Sequence, residues 1–122
     1  INTAETMIAA SNAGVSAQVG GAAVALPASL RKQAGRKIVL GVRPEAVILG
    51  KPAKGLTAEV TAVTPLNERI VLLLTASDGW EFLASVPSSA TGLPAPGSRV
   101  GVSFAAIGTH VFDSESGGRI DG

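Results

Sequence analysis

Short runs that alternate between apolar and polar residues follow one another along most of this chain. In segment 56–64 the apolar side is formed by Leu56, Ala58, Val60 and Ala62. Segments 80–86 and 99–104 repeat this period of two, which is typical of strands with one buried face. Segment 69–75 is apolar at both odd and even positions. We therefore expect that strand to be buried on both faces.

Glycine and proline pairs separate these runs into strands and turns. Gly20-Gly21 joins 15–19 to 22–26 as a hairpin, and Asp78-Gly79 marks another turn. Pro65-Leu66-Asn67 is predicted as a turn as well. The remaining predicted strands are 37–42, 45–49 and 109–112, and one short helix is predicted at 27–33. About nine short strands with at most one short helix indicate an all-β barrel or sandwich.

Composition narrows the class of protein. The 122 residues suit a single domain spanning 1–122, and Val, Ile, Leu and Phe exceed the roughly 20% below which disorder is expected. The net charge of +1 gives no field that would steer nucleic acid, and the absence of cysteine excludes disulfides. No apolar stretch is long enough for a transmembrane helix. The chain opens with Ile1 and without a signal peptide, so we expect a fragment of a longer protein.

Catalytic and metal-binding patterns are weak. His110 is the only histidine, and no Gly-x-Ser-x-Gly elbow accompanies it. A zinc site lacks ligands, and Asp113, Glu115 and Asp121 do not have the spacing of a calcium loop. We therefore expect no enzyme activity, no resident metal and no cofactor.

Nucleotide and nucleic-acid binding are disfavoured for similar reasons. The P-loop pattern is missing, so the chain should not hydrolyse ATP. Trp80 and Phe82 share a face with apolar neighbours, which suits a core better than a base-stacking platform. We expect no nucleic acid among the partners.

The segment Gly41-Val42-Arg43-Pro44-Glu45 interrupts an apolar strand in an unusual way. Pro44 fixes its own φ and has no backbone donor, so the strand must end there or lie at an edge. Arg43 and Glu45 place opposite charges on the two sides of the break. This arrangement favours a shaped contact surface over a catalytic pocket.

Five short segments, in the same order along the chain, resemble the sequence motifs of one protein family. Gly41-Val42-Arg43-Pro44-Glu45-Ala46 resembles a motif of the C-terminal regulatory, or TOBE, domain of ATPase subunits in sugar and glycerol-3-phosphate type ABC importers. Segment 58–66 resembles the family's strand into a V-x-P-L-G turn, and Pro96-Gly97-Ser98-Arg99-Val100 resembles its P-G-x-x-V turn. His110-Val111-Phe112-Asp113 and Ser116-Gly117-Gly118-Arg119 resemble the terminal H-L-F-D and T-G-x-R segments.

The resemblance implies an oligonucleotide-binding-like β-barrel that does not hydrolyse ATP. Such a domain helps to hold two ATPase subunits together and receives regulatory signals. Its implied partners are its own nucleotide-binding domain (absent here, and the place of ATP and Mg), a second copy of the subunit, the transporter's membrane subunits and a regulatory protein. The implied location is cytoplasmic, on the inner face of the membrane. Asn67 stands where the family has Gly, and Asn tolerates the left-handed turn conformation.

Seven residues are candidates for subunit contact or regulation: Arg43, Pro44, Glu45, Phe104, His110, Phe112 and Asp113. Alternative roles remain open for some of them. Phe104 is also a candidate core residue, and Arg43 and Glu45 are able to pair with each other. A second function also stays open, because related domains in molybdate systems bind an oxyanion between subunits through backbone amides, Ser, Thr and Lys.

Overall fold

A computed structural model describes residues 1–120 of the chain. Asp121, considered above as a cation ligand, lies outside the described residues. The predicted all-β class is confirmed: the described part contains ten strands in two sheets and no α-helix. The strands are β1 Asn2–Ser11, β2 Gly14–Val19, β3 Ala22–Ala25, β4 Lys37–Val42, β5 Val47–Gly50, β6 Thr57–Pro65, β7 Arg69–Ala76, β8 Glu81–Pro87, β9 Arg99–Phe104 and β10 Thr109–Asp113.

The first sheet has the order β10-β4-β1-β2-β3, with antiparallel neighbours throughout. Strand β1 lies near its centre and pairs with β4 from Asn2↔Val42 to Met7↔Lys37. The sequence did not predict β1, because its Thr and Ala residues lack an apolar alternation. In β1 only Asn2 and Ile8 are fully buried. The strand is therefore held mainly by its two partners.

The second sheet is built from the continuous segment 47–104 in the order β5-β9-β6-β7-β8. Its edge strands β5 and β8 approach each other, so the sheet curls towards a barrel. The register of β6 against β7 shifts between Val60 and Ala62, which marks a β-bulge. Beyond the bulge Val63 packs against the core, so the inward position predicted for Ala62 is wrong.

Local structure corrects four further expectations. The predicted helix is a 3₁₀ helix, Ala28–Gln33, and Pro44–Ala46 forms a second 3₁₀ turn where extended chain was predicted. Proline is well suited to a first helical position because its φ already matches. Asn67 does not adopt the left-handed conformation, since every positive φ in the described residues belongs to glycine. Strand β7 is fully buried only on its inner face, while Val71 and Leu73 are half-buried.

Contacts between the two sheets fix their relative position. Phe82 on β8 is buried and stacks on Trp80, with ring centroids 4.4 Å apart, and Nε1 of Trp80 donates to the carbonyl oxygen of Thr3 on β1 at 3.0 Å. The side chain of Asn2 on β1 donates to the carbonyl oxygen of Leu83 on β8 and accepts from the Leu83 amide, both at 2.8 Å. Gly20, in the β2–β3 turn, leaves no room for a side chain, because a Cβ there would lie 2.6 Å from Leu56 Cδ1.

Candidate functional site

Gly41, the first residue of the charged motif, lies beneath an aromatic ring. A Cβ on Gly41 would lie 2.9 Å from Cε2 of Phe112 and 3.1 Å from Cδ1 of Ile1. Any larger residue would therefore displace the Phe112 ring. This contact explains why residue 41 is glycine. It also connects the motif to β10, because Gly41 and His110 are register partners in the β4–β10 pair.

The turn that contains the motif is locked against the turn between β9 and β10. The Arg43 amide donates to the Gly108 carbonyl at 2.8 Å, and the Ala105 amide donates to the Ala46 carbonyl at 2.8 Å. Gly108 has φ +98°, and a Cβ there would lie 2.8 Å from Cβ of Ala46. Only glycine fits that position without strain. The two turns therefore form one rigid unit.

This unit presents three exposed side chains, Arg43, Glu45 and Ile107, which we call the Arg43 surface. Ile107 is 92% exposed, the highest value among the large apolar side chains of residues 1–120. Arg43 and Glu45 form no ion pair with each other, although the sequence left that possibility open. Pro44 lies between them, and its carbonyl oxygen accepts a hydrogen bond from the Val47 amide, which closes the turn. An exposed apolar side chain with charged residues on the adjoining turn matches the apolar centre and polar rim of protein interfaces, which makes this unit the candidate site.

Phe104 lies apart from the Arg43 surface. Its ring packs edge-on against Trp80 and Phe82, with centroids 6.4 and 6.5 Å away. Such edge-to-face pairs stabilise cores. The structure therefore favours the core role for Phe104, which the sequence had left as an alternative.

His110 and Phe112 lie on one face of β10, with ring centroids 6.3 Å apart. Both side chains are partly buried. The Nδ1 atom of His110 is buried and has no hydrogen-bond partner among the described residues. Buried polar atoms without a partner are rare and costly, so this nitrogen requires an explanation.

Asp113, at the end of β10, organises the following turn. One carboxylate oxygen accepts from the Ser116 amide at 2.8 Å, and the other lies 3.2 Å from Nε of Arg36. The backbone hydrogen bond from Ser116, supported by the Ser116 side chain and Arg36, holds the pKa of Asp113 below its ordinary value of 3.8. These contacts assign Asp113 to turn formation.

Asp113→Asn is expected to remove a pH-dependent part of the stability. Because the folded-state pKa is lowered, the contribution is present above the unfolded-state pKa and is lost as the pH falls through the folded-state value. Urea unfolding at pH 7 and at about pH 2.5 should therefore show a difference between wild type and Asp113→Asn that shrinks at the lower pH. An equal difference at both pH values would contradict this assignment.

The described residues contain no group of three potential metal ligands. None of the helices in residues 1–120 has the length and apolar character needed to cross a membrane.

Ile107 was not identified as a candidate from the sequence. The available signal was a bulky apolar residue directly before a turn glycine. Of the seven predicted residues, the structure brings Arg43, Pro44 and Glu45 together at one surface and His110 and Phe112 together on β10.

Two antiparallel sheets and a rigid exposed turn define the molecule as a small all-β domain. The family model of the TOBE domain matches residues 40–112, which include the charged motif and strands β5 to β9. The chain belongs to the TOBE domain family. This membership agrees with the prediction that the chain is not an enzyme. A comparison with curated protein sequences gave no significant match.

The fold is also similar to that of a solved structure. The cytoplasmic molybdate-binding protein ModG, crystallised with molybdate bound, superposes with a TM-score of 0.68. The alignment covers 90% of this chain and 94% of that chain at 22% sequence identity. At this identity the similarity concerns the fold, and it supports the oligonucleotide-binding-like architecture predicted from the sequence.

Proposed function

We propose that the chain is a regulatory and dimerisation module of an ABC importer ATPase for sugars or related solutes. Support comes from membership in the TOBE family and from the ordered motifs that resemble the importer subgroup. In this role the module carries out no chemistry. It holds two ATPase subunits in register and transmits regulatory signals to them.

The observation that carries this proposal is the Arg43 surface. Ile107 projects from a turn that two backbone hydrogen bonds fasten to the motif turn. Arg43 and Glu45 are both exposed and unpaired with each other. A surface with one apolar anchor and one charge of each sign is self-complementary across a two-fold axis, where Arg43 of one copy faces Glu45 of the other.

The proposed role implies a set of partners and a location. The nucleotide-binding domain of the parent subunit would hold ATP and Mg, and a second copy of the subunit would supply the opposing surface. The membrane subunits of the transporter would keep the complex on the cytoplasmic face of the membrane. A regulatory protein is a further proposed partner.

Weak self-association of the isolated chain should depend on Ile107. We expect Ile107→Ser to weaken dimer formation at least about fivefold, because truncation of a central anchor costs more than about 1 kcal/mol. Sedimentation velocity over a concentration series measures this change. Arg43→Glu and Glu45→Arg should each weaken association, and the double exchange should restore part of it.

Leu66→Ser is the matched control, because Leu66 is also an exposed apolar residue, 56% exposed, in a different turn. It should leave self-association unchanged. A strictly monomeric wild type at high concentration, or equal effects of the two serine variants, would count against the dimerisation surface.

A second candidate function is oxyanion binding. A cavity of about 210 Å³ is lined by Lys51, Lys54 and Ser103, beside the loop that joins β5 to β6. Two cations and a hydroxyl that line one cavity suit a small tetrahedral anion. Isothermal titration with molybdate, tungstate and a phosphosugar distinguishes the two functions. Stoichiometric tight binding that Lys54→Ala abolishes would favour the second.

A further inference from the structure

The outer edge of β3, the last strand of the first sheet, has backbone groups without partners. The Leu26 amide donates to the Val15 carbonyl at 2.9 Å, so the hydrogen-bonded pairs of this antiparallel ladder fall at every second residue counted back from Leu26. The amides and carbonyls of Ala23 and Ala25 therefore point away from β2. None of these four groups has a hydrogen-bond partner within residues 1–120.

Strand β3 also lacks the features that usually keep an edge strand from pairing with another chain. Its sequence, Ala22-Ala23-Val24-Ala25, contains no charge and no proline, and its pairing with β2 has no bulge. Ala23 and Ala25 are exposed, and their methyl groups are too small to shield the backbone. The edge is therefore able to accept a further strand.

This edge faces a groove, which we call the β3 groove. Two cavities, of about 420 and 270 Å³, share Val24, Ala25 and Phe104 among their lining residues and together extend along β3. Leu30 of the first 3₁₀ helix lines one end of the groove, and Leu56 lines the other. The facing wall belongs to β9 and β10. A strand added to β3 would therefore pack half of its side chains against an apolar surface.

The size of the edge and the charge beside it select the occupant. Four strand residues span only about 13 Å, whereas a stable protein interface buries about 800 Å² on each partner. This edge therefore suits a short peptide better than a second folded copy. The exposed Lys54 lines the groove at the Ala23 end and forms no ion pair within residues 1–120. An acidic residue of the peptide would complement that charge.

We propose that the β3 groove binds a short extended peptide, which adds to β3 as an antiparallel sixth strand of the first sheet. Its amides and carbonyls pair with those of Ala23 and Ala25. Every second residue of the peptide faces the groove and is apolar. An antiparallel peptide has its C-terminal end beside Ala23, so its acidic residue lies there, near Lys54. The site uses none of the residues of the Arg43 surface.

The probe is the peptide Thr-Val-Thr-Val-Thr-Glu, acetylated and amidated at its ends, whose two valines face the groove. Isothermal titration calorimetry should show saturable binding of one peptide per chain. Replacement of the glutamate by lysine should weaken binding at least about threefold, since it places a like charge beside Lys54. Absence of saturable binding would overturn the proposal, and equal affinity for the lysine peptide would contradict the assigned orientation.

N-methylation of the peptide tests the strand pairing directly. An N-methyl group on the second or the third threonine removes a donor that faces Ala25 or Ala23, and each should weaken binding at least about fivefold, because a carbonyl of β3 stays unpaired. The matched control carries the N-methyl group on the second valine, whose amide points away from β3. It should bind within about twofold of the parent peptide. Equal effects at the two kinds of position would refute the strand pairing.

A variant at the edge locates the binding on the protein. Ala23→Pro removes one outward amide and leaves the ladder with β2 intact, because proline is tolerated where the amide makes no ladder bond. It should weaken peptide binding at least about fivefold. Ala23→Ser keeps the amide and is the matched control, which should bind as wild type does. Equal affinity of the two variants would place the peptide elsewhere. A thermal melt of each variant checks that it is folded.

Hydrogen exchange in the wild-type chain gives a readout that needs no variant. Saturating peptide should slow exchange of the Ala23 and Ala25 amides at least about tenfold and leave the Val24 amide, already paired with β2, unchanged. Unchanged exchange at Ala23 and Ala25 would overturn the proposal. Protection of these amides that rises with protein concentration without peptide would assign the edge to a second copy and would also overturn it.

Discussion

Phe82→Ala is expected to lower the free energy of unfolding by about 3–5 kcal/mol, the range for removing a buried aromatic ring. Phe82 is 2% exposed and lies between the ring of Trp80, 4.4 Å away by centroid, and that of Phe104. Its loss leaves a cavity that two large rings cannot fill without leaving their rotamers. Urea unfolding followed by circular dichroism measures the change.

The neighbouring Leu83→Ala provides the control on the same strand. Leu83 points to the opposite face and is 39% exposed, so its truncation should cost no more than about 1 kcal/mol. A similar loss of stability in the two variants would show that the aromatic cluster is not the centre of the core.

Asn2→Ala is expected to lower the free energy of unfolding by about 2–3 kcal/mol. The substitution removes both 2.8 Å hydrogen bonds to Leu83 and leaves that residue's amide and carbonyl without a protein partner. Unpaired, partly buried backbone groups cost about 1–3 kcal/mol. Hydrogen exchange should also show faster exchange of the Leu83 amide, because the Asn2 side chain is the hydrogen-bond acceptor of that amide.

Asn12→Ala is the corresponding control, since Asn12 is exposed in the β1–β2 turn. Its effect should stay within about 0.5 kcal/mol. Unchanged protection of the Leu83 amide in Asn2→Ala would mean that the edge of β8 is covered by something other than the Asn2 side chain.

Much of the fold could be predicted because its strands have a clear period of two and glycine-marked turns. The inward positions of Trp80, Phe82 and Ala84 are confirmed. Strand β1 could not be predicted, since small residues such as Ala9 and Ala10 carry no burial signal and the pairing with β4 is long-range. The β-bulge near Val60 was equally hidden, because one inserted residue changes the register without changing the composition.

The candidate site was predictable only where local chemistry marks it. Pro44 between two charges indicated a break in the strand, and the structure has a 3₁₀ turn there instead of the extended chain that was predicted. The exposure of Ile107 depends on the distant turn against which it is held, through the Arg43 amide and the Gly108 carbonyl. A cavity of about 420 Å³ between β3 and β10 depends on two strands that are more than eighty residues apart in the chain, so no local pattern indicates it.

The placement of β10 has a consequence for protein synthesis. The second sheet is formed by one uninterrupted segment, 47–104, whereas the first sheet needs β10 to complete its pairing with β4. During translation the second sheet is free to fold as soon as Phe104 leaves the ribosome, since domains fold as their chain emerges. Strand β4 must wait with one edge open until residues 109–113 arrive. A ribosome that pauses within 105–113 would therefore hold a partly folded domain in which one edge of β4 has unpaired backbone amides and carbonyls. Such an edge can pair with another chain, and a chaperone can bind it.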